Sequence, residues 1–311
     1  MSAQHHYISQ FHLKQFTDPD SLNTEVPWLW QGFVPDGPVN RRAPKKVGRR
    51  PGMFDGPGGL ADRDSTIESF LANEVEGPAA KAIKELCRRS PDSGAEIAPP
   101  LSRYLAWAAA RSLPMQQLEN FWGKKGIGRN DDGVESPPEG LLSGTDMQRD
   151  VQMCHPTLGC RVFPAGSDLA QTTAEGWYPD MTERVNFLEG VHIQAYYFQA
   201  RFFPRFNWFA LHAPEGYFFI IANRAVGWAA DGYVNAPPSC LRDPSAYVLA
   251  PISRSLVLVG RHSTEKWNVS PDRINAIITC WAHDWIAGPT RATVDAALKS
   301  RRLALSGMQF P

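Results

Sequence analysis

Three absences narrow this sequence before any motif does. The first is net charge: Lys plus Arg and Asp plus Glu number 32 each, for a formal charge of zero. A generic nucleic-acid coat relies on surplus cations against phosphate, so the balance weighs against that class while leaving room for a local basic patch. The second is cysteine. The five, at 87, 154, 160, 240 and 280, are odd in number and form no CxxC pair. That excludes a dense disulfide framework and fits a reduced, cytoplasmic setting. Cys154, His155 and Cys160 are thiolate and imidazole donors, but no second pair completes a four-ligand zinc site. The third is any long apolar run. Charge, Pro or Gly interrupts every stretch well short of bilayer length, and no basic-then-apolar leader opens the chain, so no membrane partner is expected.

Familiar chemical motifs are missing too. There is no serine nucleophile elbow, HExxH, P-loop or dinucleotide glycine fingerprint. GPGG at 56–59 lacks the strand–helix context of a phosphate cradle.

What is present is a chain of 311 residues, 43% hydrophobic, with ten Trp and 16 Phe, enough to bury a sizeable core. It opens HHYISQFHLKQF, where His5, His6 and His12 alternate with Tyr7, Ile8, Phe11, Leu13 and Phe16. His5 and His12, seven apart, share a face if the segment is helical and oppose each other if it is extended. VPWLWQGFV (26–34) reads as a strand. RRAPKKVGRRPGMF (41–54) carries Arg41, Arg42, Lys45, Lys46, Arg49 and Arg50 with no acid, and its Pro and Gly read as a loop.

A helix is expected from about Ser65, where Ser65 and Glu68 form a capping box, with Pro78 as a kink or break. A second spans about Pro100 to Trp122 with a bend at Pro114, and a third about Thr182 to Arg201. Residues 123–147 read as a loop-rich or partly disordered insert. RFNWFALHA and GYFFIIANRAV are expected to pair as a hairpin through APEG, and YVLAPISRSLVLVG adds two short strands. Ser270, followed by Pro271, caps a helix running to about Ala287, and a last helix follows from Thr290 to Leu303. The sum is a helix-rich α+β fold in one compact domain, with a mainly antiparallel sheet.

Several side chains carry candidate chemistry. His5 and His6 are a possible acid–base pair, because imidazole titrates near neutrality, or else a hydrogen-bonded terminus. Glu68 and Glu76, eight apart, lie roughly on one helical face. With His6 they could hold a divalent transition metal. Alternatively Glu68 is only the capping acid and Glu76 a surface charge. His192, mid-helix among Val191, Ile193 and Tyr196, faces either a pocket or the core. Arg49 and Arg50 could bind an anion through their planar guanidinium groups, or be solvated loop charges. Arg111 stands in a helix otherwise lined by Ala and Leu. If buried it must be paired, with Glu68, with Glu76 or with an anionic ligand.

Taken in order, these segments resemble the family called domain of unknown function 4238. Its HHYxPQFYLRxF opening is HHYISQFHLKQF here, and its IExxLxxxExxAA helix is IESFLANEVEGPAA. Its Ala-Arg-x-x-Pro element is ARSLP, its late strand pair is FNWFAL with YFFIIANRAV, and INAIITCWA closes the match. The resemblance implies one α+β domain and no established reaction. There are departures. Ser9 stands for Pro and His12 for an aromatic in the opening motif. Where the family carries Thr-Ser-Asp-Asn-Pro, this chain reads Ile221, Ala222, Asn223, Arg224, Ala225, so Asn223 replaces an acid. His12 is then expected to be structural.

The leading expectation is an intracellular enzyme acting on a small anionic substrate. His6 serves as acid–base or metal ligand, Asn223 orients substrate, and Arg111 and Arg224 bind its anionic group. Composition rich in Arg, Ala, Pro and Gly associates it with bacterial specialised metabolism. The alternatives are a nucleic-acid-cleaving or nucleic-acid-binding effector using residues 41–50, and a non-catalytic binding module with a degenerate site.

Overall fold

The longest strands arise where β-branched and aliphatic residues run almost unbroken. In YVLAPISRSLVLVG, strands β11 (Tyr247–Ser253) and β12 (Leu256–Arg261) form an antiparallel hairpin buried on both faces. Val248, Ala250 and Ile252 enter one hydrophobic cluster, and Tyr247 and Leu249 enter the other. The period of two thus sorts one strand between two cores. An antiparallel sheet usually keeps one wet face, and a continuous apolar run marks the exception.

The computed structural model describes residues 4–35, 37–51, 71–88, 97–111, 203–230, 243–265 and 269–305, with a few isolated positions between them. The other strands are β1 (Gln4–His6), β2 (Leu29–Phe33), β3 (Val39–Arg42), β4 (Arg49–Pro51), β5 (Gly128–Arg129), β6 (Glu135–Ser136), β7 (Asn207–His212), β8 (Ile221–Ala222), β9 (Gly227–Ala230), β10 (Tyr233–Val234) and β13 (Trp285–Gly288). The helices are α1 (Gln10–Leu13), α2 (Gly77–Leu86), α3 (Pro99–Arg111), α4 (Pro271–Trp281) and α5 (Arg291–Leu305). One sheet has the order β10-β9-β11-β12-β7 and the other β3-β2-β13-β8. Small ribbons pair β1 with β4 and β5 with β6. Every pairing among the described residues is antiparallel, and the fold is α+β.

Helices cover both faces. The opening segment, α2 and α3 supply Ile8, Leu13, Phe16, Ile83, Tyr104 and Trp107 to the first cluster. Helices α4 and α5 supply Ile274, Ile278, Trp281, Val294 and Leu298 to the second. At α4 the expected cap is present, with Ser270 accepting from the Arg273 N–H and Pro271 in the first turn.

The structure corrects three expectations. β7 does not pair with the segment after the APEG turn. It pairs with β12, while β8 joins the other sheet beside β13. The buried Asn275 directs this switch, its Oδ1 accepting from Ile220 N–H (3.1 Å) and its amide donating to the Phe218 carbonyl (2.8 Å). The helix from Ser270 ends at Trp281, and Trp285–Gly288 is instead the strand that fills the gap between β2 and β8. The basic run is not one loop. It comprises the end of β3, a 3₁₀ turn at Pro44–Lys46 and β4.

Pro78 acts as expected, in an unexpected form. Residues Leu71–Glu76 wind as a π-helix before α2 begins at Gly77. Pro78 has no N–H for the Glu74 carbonyl, which instead lies 3.5 Å from the Arg103 Nη1 donor. A Cβ on Gly77 would sit 3.0 Å from the Ala72 carbonyl oxygen, so the wide turn closes most easily on glycine. Ser65, Glu68, Pro114 and Thr182 lie outside the described residues. The 123–147 stretch does too, apart from β5 and β6.

Candidate functional site

The opening motif is neither all helix nor all strand. β1 carries His5 and His6, the chain turns, and α1 carries His12. Gly48, at φ +64°, sets that turn, because its carbonyl accepts from Tyr7 N–H (2.9 Å) and Ile8 N–H (3.3 Å). Any side chain at this φ is strained, and here a Cβ would also press on Ile8. The result drives Ile8, Ser9, His12 and Leu13 inward.

Ser9 and His12 land on a polar network built from four distant segments. His12 is fully buried, with Nε2 2.7 Å from the Pro251 carbonyl and Nδ1 2.9 Å from the Tyr104 hydroxyl. A carbonyl can only accept, so Nε2 carries the proton and Nδ1 accepts from Tyr104. Burial lowers the imidazole pKa to about 4. The Pro251 carbonyl opposes that shift and the Arg111 charge adds to it. The ring is therefore neutral at pH 7. Burial likewise pushes the Tyr104 hydroxyl far above its usual range.

The charged half lies beside it. Ser9 Oγ donates to Glu76 Oε1 at 2.5 Å and accepts from Arg111 Nη2 at 3.3 Å. Arg111 Nη1 reaches the same Glu76 oxygen at 3.3 Å. The Arg111 side chain is 1% exposed and that of Glu76 25%, so a buried cation backs a carboxylate that still meets solvent. Arg111 Nε is buried without a hydrogen-bond partner. Glu76 ends the π-helical turn, a winding that recurs at functional sites. Tyr104 and Arg111, seven apart on α3, share one face, and the small Ala106 and Ala108–Ala110 let that helix sink into the core.

The remaining candidates sit elsewhere. His6 pairs in register with Arg49, and its Nε2 lies 3.3 Å from the Lys45 carbonyl; His5 lies opposite Arg50. Arg41, Arg42, Lys45, Lys46 and Arg49 are all exposed. The Arg41 guanidinium lies 4.9 Å over both Trp28 and Trp30, whose indole donates to Asp18 Oδ2 at 2.9 Å. Asn223 Oδ1 accepts from the His283 N–H at 2.9 Å and lies 3.5 Å from that of Asp284. Arg224 is fully buried with its guanidinium 3.9 Å over Trp228.

The structure thus brings together Glu76 and Arg111, one of the pairings the burial argument allowed, while Asn223 holds the His283 N–H and Arg224 stacks on Trp228. Glu68, His192, Cys154, His155 and Cys160 lie outside the described residues. Among the described residues no three His, Cys, Asp or Glu side chains converge as a metal site, so His6 and Glu76 are the described part of the metal set. Sequence reasoning missed Ser9 and Tyr104. The signal for Ser9 was its place as a departure in the opening motif, three residues before the other departure, His12. For Tyr104 it was the seven-residue spacing to Arg111.

Helices on both sides of antiparallel sheets, with a half-buried Arg–Glu pair reached by the opening motif, define an α+β protein with a polar site at its helical layer. The family model described as Protein of unknown function (DUF4238) matches residues 4–278, and the chain belongs to that family. No curated protein and no solved structure matches it. Among the described residues, no helix is long and apolar enough to cross a membrane.

Proposed function

We propose that the protein is a cytoplasmic enzyme acting on a small anionic substrate, in a setting of bacterial specialised metabolism. The observation that carries this reading is the Arg111 Nε–H, which is buried and has no acceptor. A buried donor left unmade costs about 1–3 kcal/mol, so an incoming oxyanion gains by supplying the missing acceptor. Beside it Glu76, partly open and held by Ser9 and Arg111, is placed to move a proton at the bound substrate. His6, on the β1–β4 ribbon that opens the motif, is the second acid–base group. Where a divalent transition metal assists, His6 and Glu76 are its described donors.

The test is a panel of small carboxylates and phosphate esters scored by thermal shift, followed by turnover of whichever binds. Glu76→Gln should keep binding and lose turnover by about a hundredfold or more, while Arg111→Lys should lose binding. A panel that leaves the Tm of the wild type unmoved, or full turnover by Glu76→Gln, overturns the reading.

The exposed cations on β3, the 3₁₀ turn and β4 favour a second reading, a nucleic-acid-binding or nucleic-acid-cleaving effector. Each phosphate contact makes affinity fall with salt, by nearly one unit of log–log slope. Binding that barely responds to salt removes this alternative. A third reading, a non-catalytic binding module, draws on the use of Asn223 Oδ1 by backbone. Gain of metal binding by Asn223→Asp would support it, and unchanged metal affinity would count against it.

A further inference from the structure

The sheet that carries β13 ends at β3, whose outer side pairs with no strand among the described residues. In an antiparallel pair, alternate residues turn their N–H and C=O toward the neighbouring strand, so the other residues of Val39–Arg42 present theirs away from β2. Among the described residues, none of these outward groups is bonded elsewhere. Such an open ladder is a template for another strand.

The strand is held in place. Val39 packs on the second hydrophobic cluster, and just beyond the strand Val47 is buried. The turn between them is closed by Lys46 N–H to the Ala43 carbonyl (2.8 Å) and Val47 N–H to that of Pro44 (3.1 Å). On this frame Asn40, Arg41, Arg42, Lys45 and Lys46 stand exposed, and Arg49 follows on β4. The sequence holds no acid from Gly37 to Phe54. Among the described residues, none of these cations makes an ion pair.

The charges select what can pair here. A second copy of this chain would bring another uncompensated set of cations to the same edge, and like charges across a ladder destabilise it. A nucleic acid could meet the cations but cannot use a peptide ladder. Arg41 also covers faces of Trp28 and Trp30 on which bases would stack. An extended chain bearing Asp and Glu satisfies ladder and cations together. We propose that β3 is a docking edge for an acidic, extended segment of a partner protein, which adds to this sheet as its fifth strand. The inference does not rest on the Arg111 site, and it competes with the nucleic-acid reading of the same cations.

The probe is a fluorescein-labelled ten-residue peptide of Val and Thr with Glu-Asp-Glu-Glu at its centre, titrated into the full chain by fluorescence anisotropy. It should bind saturably, and the same peptide with Lys for each acid should not. Two more acidic peptides are N-methylated, one on each set of alternate residues, so that charge is kept. The one whose methyl groups face β3 should bind about tenfold more weakly, through loss of ladder hydrogen bonds, and the other should not. Arg42→Glu sets an acid against the peptide's acids and should cost about tenfold in affinity. Should Arg42→Glu not fold, the methylated peptides decide the matter on the wild type. No binding by the acidic peptide overturns the proposal, and so does equal affinity for both methylated forms. An oligothymidylate that binds more tightly and displaces the peptide assigns the edge to nucleic acid and overturns it too.

Discussion

Two charged regions meet at the opening motif and obey opposite rules. On one side Ser9, His12, Tyr104, Glu76 and Arg111 make a nearly dry network of directional contacts between 2.5 and 3.3 Å. On the other, Arg41, Arg42, Lys45, Lys46 and Arg49 stand in water on an edge strand and a ribbon. Buried charge costs so much to desolvate that it persists only where partners are fixed. Exposed charge costs little, is screened within about 10 Å, and can repel its neighbours without unfolding anything. The first region is therefore built to hold one geometry, the second to set a field.

The sharpest way to break that contrast is Arg111→Met. Glu76 and Ser9 lose their cation, and unfolding free energy should fall by about 3 kcal/mol, the low end for a broken buried pair because Glu76 keeps some solvent. Denaturant midpoints at constant m-value would show it, and a loss within error would mean the network is ornamental.

Acid should act next, through His12. Its folded pKa lies below the unfolded value, so the unfolded chain binds the proton first. The stabilisation is complete above about pH 6.5 and is lost as pH falls toward 4. It amounts to about 3 kcal/mol from this ring alone. Stability measured across that window should slope steeply in the wild type and less so in His12→Phe. Equal slopes would place the acid sensitivity elsewhere.

Smaller effects belong to the exposed region. Arg41→Ala removes a guanidinium stacked between two indoles and should cost under about 1 kcal/mol, visible as a small Tm decrease and a change in Trp fluorescence. Lys45→Ala and Lys46→Ala should change stability by no more than about 0.5 kcal/mol. If the edge binds a polyanion, each should still lower the log–log salt slope of binding by about one. A large stability loss from either lysine would erase the distinction between the two regions.

The same contrast explains what could be read in advance. Local signals carried the elements whose causes are local. The Ser270–Pro271 cap, the apolar run of β11 and β12, the α5 helix and the break at Pro78 all depend on residues within a few positions of one another. That a buried Arg111 must be paired was also legible, since an unpaired guanidinium among alanines is too costly to bury. Whether its partner was an acid or a ligand, and which acid, was not. Nor was the pairing of β7, because the APEG turn permits a hairpin and only Asn275, more than fifty residues later, holds Phe218 and Ile220 for the other sheet.

By itself, then, the sequence determined the α+β class, most helix starts, the opening motif and the acid-free basic stretch, because propensity, capping and periodicity act over a turn or two. Tertiary structure alone decided that Trp285–Gly288 is a strand, that His12 is a neutral bridge between Tyr104 and Pro251, and that Ser9 joins Arg111 to Glu76. Those outcomes depend on contacts spanning between 67 and 239 positions for Ser9 and His12. No local rule encodes such distances, and only packing of the whole core fixes them.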